Sequence, residues 1–221
     1  MKIPPAIVCI GRNYARHARE MNATPPDRPT VFMKNPACMI GSGQDICIPT
    51  ICNEHGPQVD FEGELAVIIG SNCRDAAESD AMQFVSGYAV ANDVSARWWQ
   101  KEGAGGQWIR GKSFDTFCPM TDPVPAQGID PQALTLETTV SGELMQSATT
   151  ADMIFPVSTL IAELSRGTTL LAGTVLLTGT PSGVGAARTP PRFLKHGDIV
   201  DVTIQGVGVL RNPVVCEQST R

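Results

Sequence analysis

Aromatic and basic residues are scarce in this chain, and their scarcity argues against several classes of protein. Phe, Trp and Tyr make up 5% of the 221 residues, and the 17 Lys and Arg are outnumbered by 22 Asp and Glu. No cluster of Lys or Arg occurs, so we expect no nucleic-acid partner. No run reaches the roughly 18 apolar residues of a membrane helix, and the first five residues lack the apolar core of a signal peptide. We therefore predict a cytoplasmic protein that does not contact a membrane.

Motifs for zinc, disulfides and covalent nucleophiles are also missing. The three histidines, His17, His55 and His196, show no H-E-x-x-H spacing, so a zinc hydrolase is not expected. The seven cysteines are odd in number and form no C-x-x-C pair, which is typical of reduced thiols. No G-x-S-x-G or P-loop occurs, so an acyl-enzyme and a phosphate-binding loop are both disfavoured.

What the chain does contain is many short apolar runs separated by 21 Gly and 17 Pro, a composition that favours strands and turns over long helices. These runs predict one α+β domain over residues 1–221 that is predominantly β, with a few short helices. The predicted strands are 6–10, 31–36, 66–69, 87–93, 134–140, 174–178, 199–204 and 207–210. The predicted helices are 12–21, with Asn13 as its cap, 76–84, 156–165 and one after Asp93.

Three carboxylates precede the most apolar of these strands. Asp60, Glu62 and Glu64 alternate with other residues just before Ala66–Ile69, so that in a strand they would share one face. Carboxylates crowded beside a buried run repel each other unless a positive charge lies among them, and oxygen ligands suit Mg²⁺, Ca²⁺ or Mn²⁺. A strand end facing water is the alternative. Asp93 at the end of another strand is a further ligand candidate, or the cap of the next helix.

A possible proton-transfer pair lies in the first predicted helix. His17 and Glu20 are three residues apart and share a helix face, so the carboxylate could orient the imidazole. An exposed helix with an incidental polar pair is the alternative. Residues 22–30 are Pro-rich, and we predict that residues 12–30 form a mobile lid. Lys34 could turn into a cleft, and Lys112 could belong either to a site or to a surface pair.

Taken together, five stretches resemble the fumarylacetoacetate hydrolase family in their order and spacing. They are Gly11-Arg12-Asn13-Tyr14 with His17 and Glu20, Asp60-Phe61-Glu62-Gly63-Glu64-Leu65, Asn92-Asp93-Val94-Ser95-Ala96-Arg97, Lys112-Ser113-Phe114-Asp115-Thr116 and Thr178-Gly179-Thr180-Pro181. The resemblance covers residues 7–215 and implies the family's mixed β-roll or sandwich fold, a homodimer and a Mg²⁺ or Mn²⁺ ion. It implies that Glu62, Glu64 and Asp93 hold this ion.

The same resemblance implies roles for further side chains. His17 and Glu20 would activate water, and Lys112 would neutralise a developing oxyanion. The implied substrate-binding residues are Arg12, Tyr14, Arg97, Gln100 and Thr180. Many relatives carry Asp where this chain has Trp98, a departure that concerns the orientation of Arg97 and the substrate preference.

These parts predict a metal-dependent hydrolase that cleaves a C–C bond of a β-diketo acid, of the acylpyruvate or fumarylpyruvate type, through a metal-stabilised enolate. The expected partner is a small anionic 2-oxo acid. Isomerisation or tautomerisation of a 2-oxo or 2-hydroxy diacid, or decarboxylation of oxaloacetate, would use the same metal platform and is the alternative. A more distant alternative is a metal-bound interaction module without catalytic activity, in which His17, Glu20 and Lys112 could be replaced freely.

Overall fold

The structure is a computed structural model that describes residues 2–218. Its strands are β1 (Ile7–Gly11), β2 (Thr30–Lys34), β3 (Met39–Ile40), β4 (Ile46–Ile48), β5 (Val59–Asp60), β6 (Gly63–Ile69), β7 (Val85–Asn92), β8 (Ser95–Ala96), β9 (Cys118–Pro119), β10 (Val124–Pro125), β11 (Thr135–Val140), β12 (Glu143–Thr149), β13 (Val175–Leu177), β14 (Ile199–Ile204) and β15 (Gly208–Cys216). Its helices are α1 (Ala15–Glu20), α2 (Arg97–Gln100), α3 (Ile109–Lys112) and α4 (Val157–Ser165).

Two larger sheets dominate the fold. The six-stranded sheet has the order β10-β7-β6-β13-β1-β2, and the five-stranded sheet has the order β12-β11-β14-β15-β4. Alternate residues of each sheet point into one shared core, where Leu65 and Val67 of β6 lie with Val200 and Val202 of β14. Burying an aliphatic side chain of this size stabilises the fold by about 1.5–3 kcal/mol, so the interface between the sheets is the main source of stability. The predominantly β, single-domain prediction is confirmed.

The six-stranded sheet is buried on its second face as well. Ala66 of β6 and Ala89 and Ala91 of β7 lie there beside Cys9 and Cys118. A strand with both faces buried reads as a continuous apolar run, which explains why Ala66–Ile69 shows no alternation of polar residues. All seven cysteines are free, as the sequence predicted.

Two local predictions differ from the structure. The predicted helix at 76–84 is only a 3-10 turn at Ala81–Phe84. The amides of Asp75 and Ala76 instead donate to the carbonyl and hydroxyl oxygens of Ser165 at the end of α4, so this segment is tied to a neighbour and not to its own next turn.

Asn13 does not cap α1, which begins after Tyr14 without a side-chain cap. The side-chain Nδ2 of Asn13 donates to the backbone carbonyls of Phe155 and Thr178, and its Oδ1 accepts from the backbone amide of Phe155. These bonds attach the start of the predicted lid to the rest of the domain.

Gly63 brings the two sheets together at the start of β6. A methyl group placed on it would overlap Thr138 Oγ1 and crowd Val202 of the facing sheet, which favours glycine at this close approach. Its amide donates to Gln146 Oε1 at 3.0 Å. The contact fixes the residues on either side of it, Glu62 and Glu64. Among residues 2–218, no helix has the length and apolar character needed to cross a membrane.

Candidate active site

Three buried carboxylates converge where β6 begins and β7 ends. Glu62, Glu64 and Asp93 are 5%, 1% and 0% exposed, and each offers an oxygen within 4.8 Å of the others. The antiparallel pairing of Gly63 with Asn92 places the three side by side, and the Asp93 amide donates to the Glu62 carbonyl at 2.8 Å. The sequence therefore predicted three residues that the fold does bring together.

Three cationic side chains surround these carboxylates. Lys112 Nζ donates to Glu62 Oε2 at 2.8 Å, to Asp93 Oδ2 at 2.6 Å and to Ser95 Oγ at 2.7 Å, so all three of its protons are engaged. Lys34 Nζ donates to Asp93 Oδ1 at 2.5 Å, and its side chain is fully buried. Arg97 Nη1 lies 2.7 Å from Glu62 Oε1.

The charges in this cluster decide how each carboxyl group titrates. Burial opposes ionisation of Glu62, but the charges of Lys112 and Arg97 outweigh burial and hold its pKa well below the ordinary value. Burial, followed by repulsion from Asp93 and Glu62, raises the pKa of Glu64 well above the ordinary value. Burial likewise opposes ionisation of Lys112, yet Asp93 and Glu62 raise its pKa, so this lysine stays protonated.

Glu64 is the carboxylate that lacks a cationic partner in this arrangement. Its Oε2 accepts from the Gly179 amide at 2.8 Å, and its Oε1 has no hydrogen-bond partner among residues 2–218. With Asp60 included, four buried carboxylates face three cations, which leaves a net charge of −1 when all are ionised. An all-oxygen donor set that keeps a net negative charge fits a hard divalent cation. Glu62, Glu64 and Asp93 are the residues that would hold it.

Asp60 does not join this triad, although it was expected on the same strand face as Glu62 and Glu64. The chain leaves the strand geometry between Asp60 and Gly63, and β5 pairs with β8 instead of continuing into β6. Asp60 Oδ2 accepts from Arg97 Nε at 2.9 Å and Nη2 at 2.8 Å, and Oδ1 accepts from the Gly185 amide at 2.7 Å. Asp60 therefore orients Arg97 toward Glu62.

The His17–Glu20 pair has the predicted geometry. His17 Nδ1 lies 2.8 Å from Glu20 Oε1, and the Gly183 amide donates to Glu20 Oε2 at 2.9 Å. His17 is 6% exposed and lines the same cavity as Glu62 and Glu64. Because Nδ1 faces the carboxylate, Nε2 is the ring nitrogen left to exchange a proton in the cavity.

This cavity has a volume of about 260 Å³ and brings most of the predicted residues together. Its lining consists of Ile10, Gly11, Arg12, His17, Met21, Phe32, Glu62, Glu64, Arg97, Gln100, Lys101, Trp108, Lys112 and Thr180. Gln100 Oε1 accepts from Arg97 Nη1 at 3.0 Å. Thr180 Oγ1 donates to the Gly63 carbonyl at 3.0 Å and accepts from Gln146 Nε2 at 2.8 Å. The Thr180 proton is thus already donated.

Tyr14, Glu20 and Asp93 are absent from this lining, and Glu20 is connected to the cavity through His17. Asp93 lies behind Lys112, while Tyr14 lines a separate cavity of about 200 Å³ with Arg16 and Arg19. Burial, with smaller contributions from Glu64 and Asp152, raises the pKa of Tyr14, so the phenol stays neutral. The structure therefore places Tyr14 outside the cavity in which a substrate was expected to meet it.

Several residues of the site were not predicted from the sequence. Lys34 was seen only as a residue that could face a cleft, yet it holds a metal-ligand candidate. Gln146, Trp108 and Lys101 were not predicted, because none of them belongs to a recognisable motif.

The family model "Fumarylacetoacetate (FAA) hydrolase C-terminal" matches residues 6–215. The mitochondrial oxaloacetate tautomerase fahd2 of Xenopus laevis is 44% identical over 214 residues, which are 96% of this chain and 66% of the relative. The chain thus spans slightly less than two thirds of that protein's length.

Two solved structures are similar throughout the fold. The 2-hydroxyhepta-2,4-diene-1,7-dioate isomerase from Mycobacterium marinum is 38% identical with a TM-score of 0.84, and the match covers 98% of this chain and 77% of that one. The fumarylacetoacetate hydrolase from Exiguobacterium antarcticum is 42% identical with a TM-score of 0.86, and the match covers 97% and 76%.

Proposed function

Because the chain belongs to the fumarylacetoacetate hydrolase family, we propose that it is a divalent-metal-dependent tautomerase or isomerase acting on a 2-oxo dicarboxylate. The names of the tautomerase from Xenopus laevis and the isomerase from Mycobacterium marinum support this reading over the C–C hydrolysis expected first. We take Mg²⁺ as the proposed ion, in keeping with the oxygen ligands.

The observation that carries the proposal is the number of free proton carriers in the cavity. Lys112 donates all three of its protons to the chain and stays charged, whereas His17 has one ring nitrogen without a partner among the residues described. Keto–enol tautomerisation moves a single proton between carbon and oxygen, so one base that takes and returns a proton is sufficient. Hydrolysis requires in addition a water molecule held for attack.

Each charged side chain of the site has its own role in this proposed reaction. A divalent cation, when bound, would polarise the 2-oxo carbonyl and so acidify the neighbouring C–H bond. His17 Nε2 would remove a proton from the carbon next to that carbonyl and deliver it to the carbonyl oxygen, which gives the enol; the conversion of enol to keto acid runs through the same two transfers in reverse. Glu20 fixes the ring through Nδ1 and stabilises the imidazolium while it exists. Arg97 and Lys112 hold Glu62 in place and offset its charge.

Hydrolysis of a β-diketo acid remains the second candidate. It is favoured by the 42% identity to the fumarylacetoacetate hydrolase from Exiguobacterium antarcticum. In that reaction His17 would take its proton from water instead of from carbon.

The test measures three reactions of the purified protein with Mg²⁺. These are loss of the enol absorbance of oxaloacetate, release of pyruvate from oxaloacetate, and cleavage of acylpyruvates. We expect the largest acceleration over the uncatalysed rate for the loss of the enol absorbance. His17→Ala should slow it by at least about 100-fold, the scale of a lost general base, whereas the exposed His196→Ala should not. Faster cleavage of acylpyruvates, or an active His17→Ala enzyme, would overturn the proposal.

The homodimer expected from the family also stays a proposal. Strand β2 lies at the edge of the six-stranded sheet, and its Val31 and Met33 are 49% and 44% exposed. Apolar side chains on an edge strand are commonly covered by a partner. Sedimentation velocity should give twice the mass of the 23.5 kDa chain, and a monomer would contradict this expectation.

A further inference from the structure

The cavity that contains His17, Glu62 and Glu64 is acidic at its floor and basic at its rim. Glu62 and Glu64, on the floor, are at most 5% exposed. Arg12 is half-buried and Lys101 is exposed, and both line the same cavity. A pocket with this polarity suits a ligand that chelates a cation at one end and carries a negative charge at the other.

The two rim cations differ from the other cations of the site because they have no acidic partner. Arg97, Lys34 and Lys112 each form an ion pair with a buried carboxylate. Within residues 2–218, neither Arg12 nor Lys101 lies within ion-pair distance of a carboxylate. Their charge is therefore available to an anion that enters the cavity.

Arg12 is held in place and does not hang freely at the rim. Its backbone has φ +60°, a conformation that side-chain-bearing residues rarely adopt, and the anchored Asn13 follows it directly. Its guanidinium lies over the Trp108 ring at 5.4 Å from the centroid. Trp108 in turn packs against Phe32, with ring centroids 5.2 Å apart, and leaves no room for a side chain at Gly11. Such fixing lowers the entropy lost on binding.

Lys101 is positioned through its backbone. Its amide donates to the Trp98 carbonyl at 3.1 Å, and its carbonyl accepts from the Gly106 amide at 2.8 Å. Trp98 is stacked on His55 with ring centroids 3.6 Å apart, and Gly103 lies so close that a methyl group there would overlap both Trp98 and Trp99. Trp98 thus supports the turn that presents Lys101.

We propose that Arg12 and Lys101 form a clamp that binds the distal carboxylate of a 2-oxo dicarboxylate. This clamp would select diacids over 2-oxo acids with an uncharged end. This inference rests on the proposed function, because it assumes that the 2-oxo acid end lies at Glu62, Glu64 and Asp93. It adds Lys101 to the site and gives Arg12 a specific partner. A four-carbon diacid places its second carboxylate one methylene away from the 2-oxo group, a length compatible with a cavity of about 260 Å³.

The test compares oxaloacetate with its 4-monoethyl ester, which keeps the 2-oxo acid end and loses the distal charge. For the wild type, kcat/KM should favour the diacid by about 10- to 100-fold, the scale of charge-assisted hydrogen bonds. Arg12→Gln and Lys101→Gln should each reduce this preference several-fold, and the double variant should nearly abolish it. Lys195→Gln removes an exposed lysine outside the cavity and is the matched control. A preference unchanged in the double variant would overturn the proposal.

Two binding measurements separate this inference from its premise. Oxalate has a chelating end and no distal group, so with Mg²⁺ its affinity by calorimetry should change by less than about threefold in the variants. A loss of oxalate affinity as large as the loss of kcat/KM would mean that Arg12 acts at the chelating end or through folding, and would overturn the clamp. If the wild type turns over neither compound, the proposed function fails. The clamp is then supported by tighter binding of the diacid than of the ester, and overturned by equal binding.

Discussion

Replacing Lys34 by methionine tests the charge balance beneath the acidic triad. The side chain is fully buried and donates to Asp93 at 2.5 Å, and burial, though it opposes ionisation, is outweighed by Asp93, so its pKa is raised. Lys34→Met keeps the aliphatic volume but leaves Asp93 with Lys112 as its remaining cation. Removing one member of a buried ion pair costs about 3–5 kcal/mol when the other charge is left without compensation, and Lys112 compensates Asp93 only in part because it also pairs with Glu62. We expect a loss of this size in the free energy of unfolding without metal.

The effect of Mg²⁺ on this loss of stability tests whether Asp93 is a metal ligand. If Asp93 is a metal ligand, the bound ion supplies positive charge close to the one that was removed, so the loss should be smaller at saturating Mg²⁺ than in chelator. Urea unfolding at both conditions measures the two values. Arg166→Gln is the control, since its pair with Glu163 spans 3.2 Å at a side chain 70% exposed and should contribute at most about 1 kcal/mol. Equal losses of Lys34→Met with and without Mg²⁺ would refute the reasoning.

The remaining predictions concern a metal ligand, the loop at the cavity rim and an ion pair distant from the site. Glu62→Gln should lower Mg²⁺ affinity at least about tenfold by calorimetry, and unchanged affinity would remove Glu62 from the ligand set. Gly103→Ala should displace the Trp98 ring, which hydrogen exchange would show as faster exchange in residues 98–106. Burial opposes ionisation of Asp198, but hydrogen bonds from Arg192 lower its pKa. The stabilisation that Asp198 provides is therefore complete at pH values above the ordinary pKa range of Asp. It is lost as the pH falls through the lowered pKa of Asp198 in the folded protein. Asp198→Asn should thus lower the free energy of unfolding by about 2 kcal/mol at pH 7 and by less near pH 3.

The metal-ligand candidates were predictable because they follow local rules. Glu62 and Glu64 flank one residue at the start of a strand, and Asp93 directly follows the neighbouring strand of the sheet. Antiparallel neighbours that are paired in this way must place these ends together. The His17–Glu20 pair likewise follows from helical spacing alone.

The cations around these ligands were not predictable from local rules. Lys34, Arg97 and Lys112 lie on β2, α2 and α3, and only the assembled fold brings them to the same carboxylates. Asp60 shows the limit of strand alternation, because a break of two residues between β5 and β6 turned it toward Arg97. No periodicity in the sequence marks that break.

The proposed clamp also bears on which reaction of oxaloacetate the site favours. Decarboxylation converts oxaloacetate and a proton into pyruvate and CO₂, so the distal carboxylate must lose its charge as the C–C bond breaks. Arg12 and Lys101 would stabilise that charge in the ground state and would therefore raise this barrier. Proton exchange at the neighbouring carbon leaves the carboxylate ionised and is not opposed. Arg12→Gln should thus increase pyruvate release relative to loss of the enol, with both measured in one preparation at fixed Mg²⁺. A constant ratio would show that the rim cations do not separate tautomerisation from decarboxylation.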